Sequence, residues 1–211
     1  DAIHPGFGFL SENSKFAALC EKCNIAFIGP SARTIEETGN KSEARNAMVR
    51  AGVPVIPGTK EPIFTAEAGR KFADEIGYPV MIKAALGGGG KGMRVVQNST
   101  DFEKNFQNAQ REAENGFGDN SMYIEKYIEH PKHIEFQILA DNEGNTIHLG
   151  ERDCSVQRRH QKMIEESPCT ALDEDLREQM GAMAVRAAKA VGYRNAGTVE
   201  FLLDSHRQFY F

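Results

Sequence analysis

The stretch Val80-Met-Ile-Lys-Ala-Ala-Leu-Gly-Gly-Gly-Gly-Lys-Gly-Met-Arg-Val-Val96 places two short apolar segments on either side of a glycine-rich loop. Both segments have the length and the β-branched content of strands, so we predict strand, loop and strand. Residues 87–92 match G-x-G-x-x-G, but a dinucleotide-binding fingerprint needs a helix after the loop, and a Walker A loop needs Ser or Thr after its lysine. We therefore predict a β-hairpin whose tip can turn backbone N–H groups toward an anion such as phosphate.

Lys83 ends the first of these strands, immediately before the loop. A protein-kinase loop is also flanked by strands, but its lysine lies on the strand that follows. A lysine in an apolar strand needs an anionic partner unless its stem reaches solvent. We predict the anionic partner.

For the glycine loop, the alternative to an anion-binding tip is a flexible surface hairpin. We disfavour this alternative because each of four adjacent glycines costs roughly 0.5–1 kcal/mol relative to Ala.

The composition narrows the class of protein. The 211 residues include 25 Lys and Arg and 30 Asp and Glu, for a net charge of −5, and 40% are hydrophobic. This is too apolar for a disordered chain, and the length suits one large domain or parts of two. The mild acidity argues against a general nucleic-acid binder, and no apolar run approaches the roughly 20 residues of a membrane helix. The two ends of the sequence suggest an internal piece of a longer protein.

The four cysteines do not form the spacing of a metal site. Cys20 and Cys23 make a C-x-x-C pair within a helical pattern, and no second close pair follows. A zinc site or a redox pair is therefore disfavoured. We expect reduced thiols in an intracellular protein.

Helical and strand patterns alternate along the chain, which indicates an α/β (α+β) fold. We predict helices over residues 12–23, 41–51, 65–76 and 100–115, a short helix capped by Ser31, and a long helix from Asp173. Predicted strands cover residues 24–30, 79–84, 93–97 and 122–128, with hairpins over 133–151 and 195–211. Thr65 is the expected N-cap of one helix, and Thr100 with Glu103 forms a capping box for another.

Glu200 lies in an apolar strand, on the face opposite Val199, Phe201 and Leu203. A carboxylate in such a strand needs a partner, either a metal or a base. Mg²⁺ suits it, since this ion takes carboxylate and phosphate oxygens together. The alternative is an edge-strand Glu that faces water.

The segment Glu151-Arg-Asp-Cys-Ser-Val-Gln-Arg-Arg-His-Gln-Lys162 is dense in polar groups. If it is a single strand, Arg158, His160 and Lys162 share one side, which suits a polyanion or bicarbonate. A solvated basic stretch is the alternative.

These segments together resemble biotin carboxylase, an ATP-grasp ligase. The resemblance runs essentially end to end and is strongest with the biotin carboxylase subunit of acetyl-CoA carboxylase, although pyruvate, propionyl-CoA and methylcrotonyl-CoA carboxylases share the motifs. The motifs are His4-Pro-Gly-Phe-Gly-Phe-Leu-Ser-Glu-Asn13, Phe27-Ile-Gly-Pro30, Lys83 with its loop, Glu125-Lys-Tyr127, Glu151-Arg-Asp-Cys154 and Gln157-Arg-Arg-His-Gln-Lys162.

The resemblance implies an ATP-grasp fold preceded by the tail of a Rossmann-like domain. Residues 1–39 would end the N-terminal domain, 40–57 would be a helix and linker, 58–128 the lid subdomain, and 129–211 an incomplete C-terminal subdomain. The implied roles are ATP phosphate binding by Lys41 and Lys83, a lid at Gly89 and Gly90, an adenine-side hinge at Glu125, Lys126, Tyr127 and Ile128, a ribose contact at His133, nucleotide and phosphate contacts at Gln157 and His160, bicarbonate binding by Lys162, and Mg²⁺ or Mn²⁺ binding by Glu200. Lys162 and His160 are the implied catalytic residues.

The implied reaction uses ATP to phosphorylate bicarbonate to carboxyphosphate, and the CO₂ passes to biotin on a carrier protein. The implied partners are a biotin carboxyl carrier protein or domain and a carboxyltransferase, without nucleic acid or membrane. The full-length enzyme would be a homodimer, and a cytoplasmic location is expected, with mitochondria and plastids as alternatives.

Three positions depart from the family pattern: Phe7, Asn40 and Leu86. In the family, further metal, bicarbonate and biotin residues follow the position of Phe211, so the chain by itself is expected to be inactive. A carbamoyl-phosphate-synthase-type ligase and a non-catalytic ATP-binding module are the alternative functions.

Overall fold

The structure is a computed structural model that describes residues 1–6, 8–39, 41–85, 92–158 and 161–211, without the side chains of residues 41 and 42. Its contacts divide the chain into two compact units. The first unit combines Asp1–Val55 with His130–Phe211, and the second unit is Ile56–Glu129. Helices and strands are mixed in both units, which confirms the predicted α/β class. The subdomain boundaries implied by the resemblance stay a prediction.

The N-terminal part of the first unit holds a two-stranded parallel sheet and three helices. They are β1 (Ala2–Ile3), α1 (Ser14–Lys22), β2 (Ala26–Phe27), α2 (Ala32–Gly39) and α3 (Lys41–Arg50). Helix α1 begins later than expected because the side chain of Asn13 accepts a hydrogen bond from the N–H of Phe16 at 2.9 Å. Ser31 caps α2 as predicted, since its hydroxyl accepts from the N–H of Thr34 at 3.1 Å.

The second unit is a small antiparallel sheet with two helices, as the sequence predicts. Its elements are α4 (Ala66–Ile76), β3 (Val80–Ala84), β4 (Met93–Val96), α5 (Phe102–Phe117) and β5 (Met122–Lys126), with strand order β4-β3-β5. The fully buried residues Ile82, Phe102, Phe106 and Ile124 belong to its core. Thr65 caps α4, and its hydroxyl oxygen lies 3.3 Å from the N–H of Ala68. The glycine-loop tip, residues 86–91, lies outside the described residues.

The predicted capping box at Thr100 and Glu103 is wrong. The side chain of Asn98 instead accepts a hydrogen bond from the N–H of Asp101 at 3.1 Å and starts a 3₁₀ turn, from which α5 continues at Phe102. Asn is among the strongest N-cap residues, so the turn that leads into α5 is capped at Asn98, two residues before Thr100. Helix α5 also extends past residue 115, to a left-handed C-cap at Gly118.

A five-stranded antiparallel sheet and one long helix complete the first unit. The strands are β6 (Lys132–Ala140), β7 (Thr146–Arg158), β8 (Gln161–Glu166), β9 (Asn195–Leu203) and β10 (Phe209–Tyr210), in the order β10-β9-β6-β7-β8, and the helix is α6 (Glu174–Ala190). The sheet packs against α6 through one apolar face, because its buried residues and those of the helix share a single core cluster. The cluster includes Ile134, Phe136, Ile138, Val199, Phe201, Leu203, Leu176, Met180, Ala184, Ala187 and Ala188. The apolar face predicted for β9 is thus confirmed, and β6 and α6 present apolar faces to the same core.

Residues 151–158 and 161–162 do not lie on the single strand on which the predicted alternation depended. They belong to two strands, because β7 pairs antiparallel with β8 and Gln157 lies opposite Lys162. Arg158 and Lys162 therefore do not alternate along one strand. The chain reversal instead makes Gln157 and Lys162 direct cross-strand neighbours, which places both near the same part of the sheet.

The four cysteines are free thiols, as expected, with Cys23 exposed and the others buried. Among the helices that the structure describes, none combines the length and the apolar character needed to cross a membrane.

Candidate active site

Three charged residues lie side by side across the centre of the five-stranded sheet. In the strand register, Glu135 on β6 is paired with Glu200 on β9 and with Arg152 on β7. Directly opposed residues in an antiparallel sheet point to the same face. Since Ile134 and Phe136 face the core, this row lies on the other face of the sheet.

Lys162 connects the two carboxylates of this row. Its ammonium nitrogen Nζ donates to Oε1 of Glu200 at 2.6 Å and also to Oε2 of Glu135. Like charges directly opposite each other destabilise a sheet, so a cation between them offsets the repulsion. We call Glu135, Arg152, Lys162 and Glu200 the charged row.

Glu135 is the buried member of the charged row, with only 4% of its surface exposed. Its second oxygen, Oε1, accepts a hydrogen bond from Nε of Arg152 at 2.6 Å. Arg152 in turn donates from Nη2 to Oε1 of Gln137 at 3.1 Å. Both oxygens of Glu135 thus have a cationic donor, as a buried carboxylate requires.

His133 and Gln157 extend the site from Glu200. Nε2 of His133 lies 3.3 Å from Oε2 of Glu200, and the amide nitrogen of Gln157 lies 2.6 Å from Nδ1 of the same ring. The amide nitrogen also donates to the carbonyl of Cys154 at 2.8 Å. In this arrangement the amide donates to Nδ1, which leaves the ring proton on Nε2, facing Glu200.

The contacts shift the pKa values of the charged row in opposite directions. The contact with His133, together with Lys162, lowers the pKa of Glu200 to about 2, against the effect of burial. Burial alone would raise the pKa of Glu135, but hydrogen bonds from Lys162 and Arg152 hold it below its ordinary value. Burial alone would lower the pKa of Lys162, but Glu135 and Glu200 raise it above its ordinary value. At neutral pH the row therefore holds two carboxylates and two cations.

Lys83 has a carboxylate partner within the second unit. Its ammonium group donates to Oε2 of Glu125, the first residue of the implied adenine-side hinge. The two side chains are 36% and 24% exposed. An anionic partner was predicted for Lys83, and in the structure this partner is a protein side chain.

Two of the other hinge residues, Lys126 and Tyr127, make hydrogen bonds to backbone carbonyls of the second unit. Nζ of Lys126 donates to the carbonyls of Gly77 and Tyr78 at 2.9 and 2.8 Å, next to the end of α4. The backbone N–H of Lys126 donates to Pro57, and that of Tyr127 donates to Pro79. Ile128 is buried, with 9% exposure. These two N–H groups already have backbone partners, so they are not available to read a base.

The structure brings four of the implied site residues together in the first unit, namely His133, Gln157, Lys162 and Glu200. In the second unit it joins Lys83 to Glu125. Several positions singled out from the sequence lie outside the described residues: Phe7, Asn40, Leu86, Gly89, Gly90, His160 and the side chain of Lys41.

Sequence reasoning missed Glu135 and Arg152. Glu135 stands between Ile134 and Phe136 in an alternating strand, so it could have been placed on the face opposite the core. The same argument identified Glu200. What the sequence could not provide was the register that sets Glu135 between Glu200 and Arg152.

The side chains around Cys154 do not suit a metal ion. Potential ligand atoms of Glu135, Cys154 and Glu165 lie within 4.8 Å of one another. However, Lys162 and Arg152 already bind Glu135, and burial raises the pKa of the Cys154 thiol to about 11. A neutral thiol beside two cations is a poor ligand set for a divalent cation.

Comparison with known families matches residues 40–211 to "Carbamoyl-phosphate synthase L chain, ATP binding domain" and residues 1–35 to "Biotin carboxylase, N-terminal domain". The biotin carboxylase of a Nostoc species is 59% identical over 210 residues, covering 100% of this chain and 47% of the relative. The chain spans about half the length of the curated relatives that it matches.

Solved structures show the same likeness. A biotin carboxylase complex with β-γ-ATP from Campylobacter jejuni is 57% identical with a TM-score of 0.84, over 100% of this chain and 47% of that one. The biotin carboxylase domain dimer of 2-oxoglutarate carboxylase from Hydrogenobacter thermophilus, in complex with MgADP, ADP and bicarbonate, is 50% identical with a TM-score of 0.82, over 100% and 46%. The chain therefore belongs to the family of the carbamoyl-phosphate synthase L chain ATP-binding domain, with the ATP-grasp fold, and its predicted resemblance to biotin carboxylases is confirmed.

Proposed function

We propose that this chain forms the nucleotide- and bicarbonate-binding part of a biotin carboxylase. The reaction is the ATP-dependent carboxylation of biotin on a carrier protein, through carboxyphosphate. The observation that carries the proposal is the charged row. In it the ammonium group of Lys162 donates to Glu200, His133 contacts the same carboxylate, and Gln157 contacts His133.

Lys162 suits the binding of bicarbonate. An ammonium group has three N–H donors, and two of them point to Glu135 and Glu200. The third is available to an anion. Because its pKa lies above the ordinary value, the group stays charged at every pH at which bicarbonate is present.

Glu200 suits a shared metal site. Its side chain is 50% exposed and its low pKa keeps it ionised. Mg²⁺ is commonly held by one or two carboxylates together with substrate phosphates, so a single carboxylate at this position fits Mg²⁺ or Mn²⁺. The ion, when bound, would neutralise charge on the phosphate oxygens.

The nucleotide would be bound by cations and backbone groups from several segments. We assign its phosphates to Lys41, Lys83, Gly89 and Gly90, with further contacts from His133, Gln157 and His160. The stretch Glu125, Lys126, Tyr127 and Ile128 would border the adenine. Phosphoryl transfer depends mainly on positioning and on electrostatic stabilisation, which is what cations and N–H groups provide. Two solved relatives, one in complex with β-γ-ATP and one with MgADP, support this assignment.

The partners follow from the same proposal. Biotin would be presented on a carrier protein or domain, and its carboxyl group would then pass to a carboxyltransferase. Among the relatives are a subunit of methylcrotonoyl-CoA carboxylase and pyruvate carboxylase, which supports a carboxylase context without choosing the acyl acceptor. We also propose a homodimer, by analogy with the Hydrogenobacter domain dimer.

The test is ATP cleavage by the full-length protein that carries this chain, measured with bicarbonate, with and without free biotin. We expect stimulation by biotin. Indifference to biotin combined with a response to ammonia or glutamine would instead support a carbamoyl-phosphate-synthase-type ligase.

The variant that tests the role of the charged row is Lys162→Ala. We expect its rate of biotin-dependent ATP cleavage to fall about a hundredfold or more, as is typical when a group that stabilises developing charge is removed. Equal turnover of wild type and variant would indicate a module whose ATP site does not catalyse the reaction.

A further inference from the structure

We infer that Asp153 and Ser155 are positioning residues for His133, and that they set the backbone position from which its ring contacts the nucleotide. This rests on the proposed function, in which His133 is one of the nucleotide contacts. The resemblance assigns no role to Asp153 or Ser155, and the contact between Ser155 and His133 joins residues 22 positions apart in sequence.

The pairing of β6 with β7 ends beside His133. Ile134 and Asp153 are the last residues of the two strands that are in register, and His133 lies one position beyond them. Here the backbone N–H of His133 donates to the hydroxyl oxygen of Ser155 at 3.0 Å. A serine side chain therefore holds the backbone of His133 to β7 at the point where the register ends.

Asp153 orients the hydroxyl group of Ser155. Its Oδ1 accepts hydrogen bonds from the backbone N–H of Ser155 at 3.0 Å and from the hydroxyl. Because the hydroxyl proton is directed at the carboxylate, the lone pairs of the hydroxyl oxygen are left to accept from His133.

The carboxylate of Asp153 is itself held in place. It is 6% exposed, and its Oδ2 accepts from Nζ of Lys132 at 3.0 Å. Burial alone would raise the pKa of Asp153, but the hydrogen bonds from Ser155 and Lys132 hold it below its ordinary value. At neutral pH Asp153 is therefore a charged acceptor, which makes its bond to the hydroxyl a strong one.

The ring of His133 is held by the same stretch of β7. The amide nitrogen of Gln157 lies 2.6 Å from Nδ1 of the ring and donates to the carbonyl of Cys154 at 2.8 Å. The register of this stretch with β8 shifts twice between Asp153 and Gln157. Such irregular pairing leaves the spacing of side chains less fixed than a regular ladder does. The hydroxyl of Ser155 ties the backbone of His133 to the stretch that also holds its ring.

The second unit contains the same local arrangement without such a contact. Asp119 accepts from the backbone N–H of Ser121 at 2.9 Å and from its hydroxyl at 2.8 Å. Among the described residues, no N–H group donates to the hydroxyl of Ser121. An Asp-x-Ser turn is thus an ordinary local structure. What distinguishes Asp153 and Ser155 is the additional bond to a residue of the proposed site.

The experiment is a double-mutant cycle in the full-length protein, with Ser155→Ala, His133→Ala and the double variant. The KM values for ATP and for bicarbonate are measured in biotin-dependent ATP cleavage. For Ser155→Ala we expect the KM for ATP to rise about fivefold, the size of one lost hydrogen bond, with the KM for bicarbonate unchanged. In the His133→Ala background the same change should raise the KM for ATP by less than about twofold, because its effect acts through the His133 ring.

Ser155→Thr and Ser167→Ala are the matched controls. Thr keeps a hydroxyl at position 155, so the KM for ATP should stay near the wild-type value. The hydroxyl of Ser167 donates to the carbonyl of Glu151 at 2.9 Å in the same unit and has no hydrogen bond to His133. Ser167→Ala should therefore lower the unfolding temperature and leave the KM for ATP unchanged.

Ser155→Cys provides a second measurement if Ser155→Ala does not fold. A thiol is a weaker acceptor than a hydroxyl, so we expect the KM for ATP to rise in the same direction. An unchanged KM for ATP in the folded variants, an equal rise in the KM values for ATP and bicarbonate, or an equal rise with and without the His133 ring would overturn the inference. Absence of biotin-dependent ATP cleavage in the wild-type protein would overturn the proposed function instead.

Discussion

The two units each contain a lysine that is paired with a carboxylate on a strand, but the two lysines are held differently. Lys83, at the end of β3, has one partner, Glu125, and both side chains are partly exposed. Lys162, on β8, has two partners, one half-exposed and one buried. The number and the burial of the partners, more than the residue type, determine how strongly a lysine is held. The pairing of Lys83 is therefore expected to be the weaker of the two.

The largest effect on stability should come from Lys162→Ala. This change leaves Glu135 buried and opposite Glu200 with one cation fewer, so we expect the free energy of unfolding to fall by about 3 kcal/mol. Urea unfolding of the full-length protein measures it. In the double variant Lys162→Ala/Glu135→Gln, most of the loss should be recovered, because the uncompensated charge is gone. A double variant no more stable than Lys162→Ala would show that the two residues are not coupled.

Lys83→Ala should affect ligand binding more than stability. We expect the dissociation constant for ATP to rise about tenfold or more, through loss of a charged hydrogen bond. The free energy of unfolding should change by less than about 1 kcal/mol, since the Lys83–Glu125 pair is partly exposed. Calorimetric titration with ATP tests the first expectation, and an unchanged titration would count against the phosphate assignment. Glu125→Gln is the matched variant for the stability comparison.

A smaller effect tests the start of α5 in the second unit. Asn98→Ala should lower the free energy of unfolding by about 1 kcal/mol, because it removes the side chain that accepts from Asp101. Thr100→Ala should have little effect, because the predicted capping box does not form. A larger loss of stability for Thr100→Ala than for Asn98→Ala would show that the capping box forms. Thermal unfolding of the two variants under the same conditions measures both losses.

The smallest effect concerns acid. The pKa of Glu200 is about 2 in the folded protein, below its ordinary value of 4.5. Its contribution is therefore fully present above pH 4.5 and is lost as the pH falls toward 2. Because the side chain is half-exposed, we expect less than about 1 kcal/mol. The difference in the free energy of unfolding between wild type and Glu200→Gln should narrow as the pH falls from 6 to 3, and a constant difference would contradict this expectation.

Much of the local structure was predictable because hydrophobic periodicity and caps act over a few residues. The helix from Thr65, the hairpin on either side of the glycine loop and the apolar face of β9 all follow from neighbouring residues. The errors have the same origin. The Thr100-x-x-Glu103 pattern predicted a cap, and only the geometry of the turn showed that Asn98 is the residue used.

The site was predictable in its residue types and not in its pairings. Glu200 was identified as a carboxylate that needs a partner and Lys162 as a cation that suits an anion, but the two residues are 38 positions apart in sequence. The reversal between β7 and β8 places Lys162 beside Gln157, and the pairing of β6 with β9 places Glu135 beside Glu200. Strand pairing over such distances depends on the whole sheet.

Residue types and local patterns are sufficient to identify the family, the α/β class, the glycine hairpin and the chemical identity of the cations and carboxylates. The folded structure was needed to show that Lys162 lies between two carboxylates, that Arg152 holds one of them, and that Lys83 is paired with Glu125. Electrostatic partners depend on distance and burial, and both are set by how strands far apart in sequence pair.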